Sequence, residues 1–411
     1  MREPAIFRLS DFRRFWFTTI LTSFGAQITT LALPLCAVLL LHATPAQMGT
    51  LSALQALPFA LFALPAGVLF DRSRKLPILL SSEVMQGLVL ASVSLAYWLG
   101  ILSMPWLYAV GFVMGTGAVL GGGAEQVYLT FLVGRDGLID AQSKFAATDS
   151  ASRLVGPGIA GALIQALGAP FAVLVNAAGF FISFLNLRMI SVREPAPAPP
   201  AAHPLREMFD GLKFVWHHPL LRTLAWAAAA WHFIFYGYTA LQVLFATRVL
   251  GMTPGVLGMA QMLGGVGVLL SSVLLKPLSR RYGSGGTIII GVVCNALAFT
   301  LMPLVPAQLI GSATLSHAAY ALLVFFFDCG AMLYFMPYVS LRQRVTPDEF
   351  LGRMVSTMRF LTVAVAPLGA LSAGSVADHF SVRTGLACVA VGAFALTTWI
   401  LAMTNLRHVR D

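Results

Sequence analysis

Long apolar runs recur along the whole chain and set its predicted architecture. In windows of about 19 residues, stretches long enough to cross a bilayer lie at 15–41, 48–70, 76–99, 104–132, 145–167, 171–190, 224–250, 256–278, 287–305, 318–341, 354–376 and 384–406. A hydrocarbon core about 30 Å thick requires roughly 20 helical residues, and each stretch approaches or exceeds that length. The pattern predicts an all-α integral membrane protein with twelve transmembrane helices joined by short loops.

Composition and motif content narrow the class further. Hydrophobic residues make up 58% of the chain and charged residues only 10%, a balance that excludes a water-soluble fold. The sequence contains no nucleotide fingerprint and no hydrolase or metalloprotease motif in a plausible context, so we predict no cofactor. The four cysteines lie inside predicted spans without CxxC spacing, which predicts neither disulfides nor a metal site: Cys36, Cys294, Cys329 and Cys388.

The distribution of basic residues explains the net charge of +10. Lysine and arginine cluster at the two ends of the chain and in the connections that follow even-numbered spans. The opposite side carries only Arg248 and Arg383. This asymmetry follows the positive-inside rule, which places both termini in the cytoplasm. Because membrane orientation accounts for the positive charge, we predict no nucleic-acid partner.

A proline-rich segment, "REPAPAPPAAHP" at 193–204, divides the chain nearly in half. It can neither span a membrane nor hold a helix. The following stretch, 205–218, has apolar residues at helical spacing among charges and predicts an amphipathic helix on the membrane surface. We therefore predict a first bundle of six helices at 1–192, a linker at 193–219 and a second bundle of six helices at 220–411.

The two predicted bundles resemble each other weakly, because Arg14 and Arg222 precede their first spans and Pro157 and Pro367 lie in their fifth spans. Two parallel repeats around a site at the membrane midplane are the architecture of secondary transporters. We expect alternating access driven by an ion gradient, with a small-molecule substrate, protons and membrane lipid as partners. A lipid flippase stays open, as does a membrane-embedded enzyme using Asp328 and His232 as acid and base.

The segment "GVLFDRSRK", 67–75, follows the second predicted span. It resembles the G-x-L-x-D-R-x-G-R-K signature of the major facilitator superfamily, although Arg74 replaces the second glycine. The resemblance implies a latch in which Asp71 faces the positive end of span eleven and which ties the bundles together in one state only. The latch residues are Gly67, Asp71, Arg72, Lys75 and Arg359. The alternative to a latch is a loop whose basic residues only orient the protein by the positive-inside rule.

Two further segments resemble exporting branches of that superfamily. "RLVGPGIAG" in span five is similar to an exporter motif through Gly156, Pro157 and Gly161, which offer a thin face for close helix packing and imply antiport. A purely structural role for this face stays open. "RQRVTPDEFLGRM", 342–354, is similar to a loop of the enterobactin-exporter and macrolide-efflux branch.

Over essentially the whole chain, the resemblance implies the major facilitator fold of two pseudo-symmetric six-helix bundles. It further implies a proton-coupled exporter of a siderophore or drug that acts as a monomer in the bacterial cytoplasmic (inner) membrane. An uptake permease of the same fold is the alternative.

Charged residues inside predicted spans are the candidates for coupling, because each costs about 2.5–3.5 kcal/mol at the bilayer centre. The proton-coupling candidates are Asp328, Asp149 and Glu125. Asp149 and Arg153 stand four residues apart on one helix face and either neutralise each other or leave Arg153 to bind an anionic group. Glu83 and Glu125 have a simpler reading as partners of loop arginines, and Glu125 has the better prospect of facing a cavity.

Polar and aromatic residues within the spans suit an amphipathic, ring-bearing ligand, although packing is the simpler reading of each one. The substrate-cavity candidates are Gln27, Arg153, His232, Tyr236, Gln242 and Gln261.

Overall fold

A computed structural model describes residues 10–192, 194, 204–347 and 350–402, without the side chains of 64, 68, 71, 135, 136, 204–209 and 352. The first half of the chain consists of α1 (Ser10–Leu35), α2 (Pro45–Arg72), α3 (Lys75–Trp98), α4 (Met104–Leu167) and α5 (Ala169–Arg188). A short helix, α6 (Pro204–His217), follows. The second half consists of α7 (Pro219–Leu244), α8 (Pro254–Leu301), α9 (Ala313–Arg344), α10 (Leu351–Val363), α11 (Ala366–His379) and α12 (Val382–Ala402).

Two of these helices each contain two predicted spans. Helix α4 is interrupted at Gly134 and α8 at Gly283, whose φ angles are 69° and 74°. Glycine adopts these positive φ values without a Cβ clash, so the chain turns sharply at both points. We call the resulting segments α4a (104–133), α4b (135–167), α8a (254–282) and α8b (284–301).

Every predicted span overlaps a described helix, and α10 and α11 together occupy the eleventh. The end of the twelfth span, 403–406, lies outside the described residues. Among the described residues, eight helical segments are long and apolar enough to cross a membrane, and one of them, Pro254–Leu304, contains two predicted spans. The all-α membrane fold is therefore confirmed. The count of twelve crossings and the domain limits at 192 and 220 stay predictions.

The predicted amphipathic helix is α6, which packs against α10. The Phe214 ring stacks on Phe350 with 4.8 Å between the ring centroids. Gly211 lies against Arg353 and Thr357 at the beginning of α10. The segment between the halves is thus attached to the second half.

The second helix of each half begins with the same Thr-Pro signal. The Thr44 hydroxyl accepts a hydrogen bond from the Gln47 amide at 3.3 Å, and the Gln47 side chain accepts one from the Thr44 amide at 2.9 Å. At α8 the Thr253 hydroxyl accepts a hydrogen bond from the Val256 amide at 3.4 Å. Proline follows at the first helical position in both cases, where its missing amide hydrogen costs nothing.

Glycine pairs bring the backbones of the two halves together just beyond these helix starts. A Cβ on Gly49 of α2 would lie 2.6 Å from the Ala370 carbonyl oxygen of α11, and Gly374 lies against the same glycine. A Cβ on Gly161 of α4b would lie 2.5 Å from the Pro254 carbonyl oxygen of α8a. No side chain fits at such distances, so both helix crossings require glycine.

Both crossings lie at the end of the bundle away from the beginning of α1, which is the predicted extracytoplasmic end. The Ala46 amide donates to Asp378 at 3.3 Å beside the first crossing. Gln165 Oε1 accepts hydrogen bonds from the Gly255 amide and the Thr253 hydroxyl, each at 2.9 Å, beside the second. The two halves are therefore closed against each other at this end.

A valine at Gly161 should hold the halves apart at this end, because its side chain overlaps the α8a backbone. In a background without native cysteines, we expect Gly161→Val to lower the yield of cross-linking between cysteines placed at Ala46 and Asp378 severalfold. Gly179→Val is the matched control, because a Cβ on Gly179 meets no atom closer than 3.7 Å. Equal yields in the Gly161 variant and the parent would contradict the role of the crossing.

Candidate functional site

A cavity of about 480 Å³ lies among the helices of the first half, towards the predicted cytoplasmic end. Its volume falls within the roughly 300–1,000 Å³ of pockets that hold drug-sized ligands. Polar residues from α1, α3, α4a and α4b line it, including Gln27, Glu83, Gln86, Glu125, Asp149 and Arg153.

Small residues on α4a let α3 approach closely and so bring two glutamates to the cavity. Gly117 lies against Gln86, and Gly121 lies against Ser82. The Ser82 hydroxyl donates to the Gly117 carbonyl oxygen at 3.1 Å, and Gln86 Nε2 donates to the Ser82 hydroxyl at 3.0 Å. These contacts fix the rotation of α3, so that Glu83, the residue after Ser82, faces the cavity.

Glu83 does not pair with a loop arginine among the described residues, which corrects the simpler reading of its position in the sequence. The structure instead shows it lining the cavity with only 7% of its surface exposed, and its Oε2 atom makes no hydrogen bond to any described residue. The polar spacing of Ser82, Glu83 and Gln86 on one side of α3 is the signal that could have found it.

Glu125 occupies the same region of the cavity. Its Oε1 atom accepts a hydrogen bond from the Thr19 hydroxyl of α1 at 2.8 Å, and its charge acts on Glu83. The structure shows no loop arginine bound to Glu125 among the described residues. Two carboxyl groups from neighbouring helices therefore face one shared space.

Asp149 and Arg153 form the ion pair expected from their spacing. Arg153 Nε donates to Asp149 Oδ2 at 2.9 Å, and the two side chains remain 56% and 59% exposed within the cavity region. An ion pair this exposed contributes only about 0.2–1 kcal/mol. A ligand can therefore separate Asp149 from Arg153 at little cost.

Asp328 lies on α9, in the second half, and packs against Gly264 of α8a. Arg153 acts electrostatically on it from the first half. The backbone of Arg153 lies against Gly265, which places α4b and α8a in direct contact beside the two charged groups. The charges of Arg153 and Asp328 thus interact across the boundary between the halves.

The remaining cavity candidates divide between two locations. Gln27 lines the cavity and packs against Gly156 of α4b. The other four lie outside the lining of this cavity: His232, Tyr236, Gln242 and Gln261. His232 Nδ1 lies 2.8 Å from the Ala228 carbonyl oxygen of its own helix.

The small-residue motif packs as its sequence predicts. Pro157 presents its carbonyl oxygen to Gly258, and Gly161 contacts α8a four residues later. Their part in antiport stays a prediction.

The latch residues are only partly described. Arg359 lies over the Phe59 ring of α2, 5.4 Å from its centroid, which gives a cation–π contact between the halves. Gly67 has open space around it, and Arg72 is exposed. Asp71 falls outside the described side chains, so the latch stays a prediction.

Membrane-length helices, two halves in contact at one end and a polar cavity of ligand size together define a membrane transport protein. The chain belongs to the Major Facilitator Superfamily, whose sequence profile matches residues 15–370. It is accordingly a multi-pass transporter and not an enzyme.

Individual relatives are distant in sequence but similar over most of their length. The multidrug efflux pump Tap of Mycolicibacterium fortuitum is 28% identical over 333 residues, which cover 78% of each chain. The enterobactin exporter EntS of Shigella flexneri is 26% identical over 84% of this chain and 80% of its own.

Solved structures show the same fold. The nucleoside transporter NupG matches with a TM-score of 0.80 at 11% identity, over 96% of this chain and 99% of its own. A bacterial homologue of the iron transporter ferroportin matches with a TM-score of 0.75 at 16% identity, over 98% of this chain and all of its own (100%).

The cavity should contain water and admit polar reagents. Ala26 is exposed and lines it, whereas Val391 of α12 is exposed outside it. In a cysteine-free background, we expect Ala26→Cys to react with a membrane-impermeant methanethiosulfonate severalfold faster than Val391→Cys, because a lipid-facing thiol stays protonated and unreactive. Equal rates for the two variants would show that the cavity is not open to water.

Proposed function

We propose that this transporter is a proton-coupled exporter of a small amphipathic compound and works by alternating access in the bacterial cytoplasmic membrane. Both termini would face the cytoplasm, as the basic loops indicate, and the protein would act as a monomer. The relatives named as an efflux pump and an enterobactin exporter support the direction of transport.

The interaction between Arg153 and Asp328 is the observation that carries the proposal. It rests on neighbouring glycines of α8a, because Gly264 contacts Asp328 of the second half and Gly265 contacts the backbone of Arg153 in the cavity wall. Any movement of α4b against α8a changes the distance between these charges. Ligand binding in the cavity and the ionisation of Asp328 are therefore linked through one residue.

Coupling follows from the cost of burying an unpaired charge. While Arg153 lies near Asp328, it compensates the carboxylate. When the halves rearrange and separate the two groups, a buried carboxylate without a partner is expensive, and binding a proton removes its charge. A ligand that takes Asp149 from Arg153 frees the guanidinium to compensate the Asp328 carboxylate. When the ligand leaves, Arg153 returns to Asp149 and Asp328 takes up a proton, which ties substrate release to proton uptake from the other side.

The cavity position fits loading from the cytoplasm. The halves are closed at the predicted extracytoplasmic end by the two glycine crossings, while the cavity lies towards the opposite end. Asp149 and Arg153 line this cavity and are more than half exposed, as loading from the cytoplasm requires.

Asp328→Asn tests this mechanism. The amide keeps the size of the side chain but cannot exchange a proton at physiological pH, so proton-driven transport of an amphipathic dye in proteoliposomes should be abolished. Exchange of labelled dye for unlabelled dye without a gradient should persist, because it does not require net proton movement. Asp140→Asn, an exposed position of α4b, is the control.

Proton-driven transport that continues unchanged in Asp328→Asn would remove Asp328 from the mechanism. Accumulation of the dye in the direction opposite to export would indicate an uptake permease, and movement of lipid alone would indicate a flippase.

A further inference from the structure

We infer that Glu83 and Glu125 form the binding site for a positively charged group of an organic-cation substrate. This inference rests on the proposed function and specifies the class of compound that the cavity accepts. It differs from the coupling role of Asp328, which lies in the other half of the molecule.

The state of Glu83 is the first observation. Its side chain is buried to 7% exposure and lines the cavity, yet Oε2 has no hydrogen-bond partner among the described residues. The Ser183 hydroxyl acts on the Glu83 carboxyl group, but without the geometry of a regular hydrogen bond. Buried polar atoms are rarely left unsatisfied, and Glu83 belongs to the lining of the cavity that a ligand would occupy.

The charge of the cavity is the second, independent observation. Its described lining contains three carboxyl groups, Glu83, Glu125 and Asp149, but Arg153 is the single basic side chain. Arg153 is already bound to Asp149 at 2.9 Å. The pair formed by Glu83 and Glu125 therefore has no cation of its own, and two neighbouring carboxylates stabilise a positive charge placed between them.

The surroundings indicate an organic cation rather than a metal ion. Among the described residues there is no group of three or more histidine, cysteine or acidic side chains suited to a metal. Phe15, Phe59 and Phe180 line the same cavity and suit the apolar part of a ligand.

The permanently charged probe tetraphenylphosphonium tests the inference, because it cannot bind by losing a proton. Radiolabelled probe would be titrated against the full-length protein in nanodiscs, without a membrane gradient. We expect saturable binding that excess tetraphenylarsonium displaces and that triphenylphosphine oxide, neutral and similar in shape, does not. Glu83→Gln and Glu125→Gln should each weaken binding by about tenfold or more, because each removes one partner of a buried charge interaction.

Asp140→Asn should bind the probe as the parent does, and Glu83→Asp should retain more affinity than Glu83→Gln because it keeps the charge. Size-exclusion chromatography and thermal unfolding would show whether each variant is folded. The comparison of the charged competitor with the neutral one uses only the parent protein. It therefore remains decisive even if a glutamate substitution prevents folding.

The inference is wrong if the parent protein does not bind the probe, if the neutral compound displaces it equally well, or if both folded glutamine variants keep the parent affinity. In each case, loss of proton-driven transport in Asp328→Asn would still support the proposed function. Conversely, glutamate-dependent binding of the probe without any proton-linked transport in proteoliposomes would support this site and contradict the proposed coupling.

Discussion

The close approach of two pairs of helix backbones is the constraint on which the remaining structure depends. Gly49 meets Gly374 where α2 crosses α11, and Gly161 meets Gly258 where α4b crosses α8a. Side chains cannot separate these helices, so their spacing at the crossings is set by backbone atoms, and Asp378 and Gln165 add hydrogen bonds beside them. These flanking hydrogen bonds are exposed to solvent, and small residues of this kind drive helix association in membranes. The same surfaces can therefore close firmly and still separate at modest cost.

The two halves have different interiors, which suggests different tasks. The first half encloses the cavity, whose described lining contains three carboxyl groups and one arginine, Arg153. The second half is filled by aromatic rings, in which Trp231 stacks on Phe235 with centroids 4.9 Å apart and donates from Nε1 to Asn295 Oδ1 at 2.9 Å. Stacked rings and a buried amide resist deformation. We view the second half as a rigid body that presents Asp328 to a more polar partner.

Much of this fold could be predicted from the sequence, because apolar length and the Thr-Pro and glycine signals are local properties. The pairing of Asp149 with Arg153 was also local, four residues along one helix. Glu83 was missed because its surroundings depend on how closely α3 approaches α4a, and that distance is set by Gly117 and Gly121 on another helix. The positions of His232, Tyr236, Gln242 and Gln261 outside the cavity lining likewise depend on helix rotation, which hydropathy does not encode.

The central claim is that closure at the glycine crossings and opening of the cavity are two ends of one movement. Double electron–electron resonance on the protein in liposomes can measure both ends. One spin-label pair would join His42 to Phe380 beside the crossings, and another would join Ser143 of α4b to Lys276 of α8a at the opposite end. On imposing a proton gradient, the account predicts that the first distance lengthens while the second shortens. Distances that change independently, or that change at one end only, would contradict it.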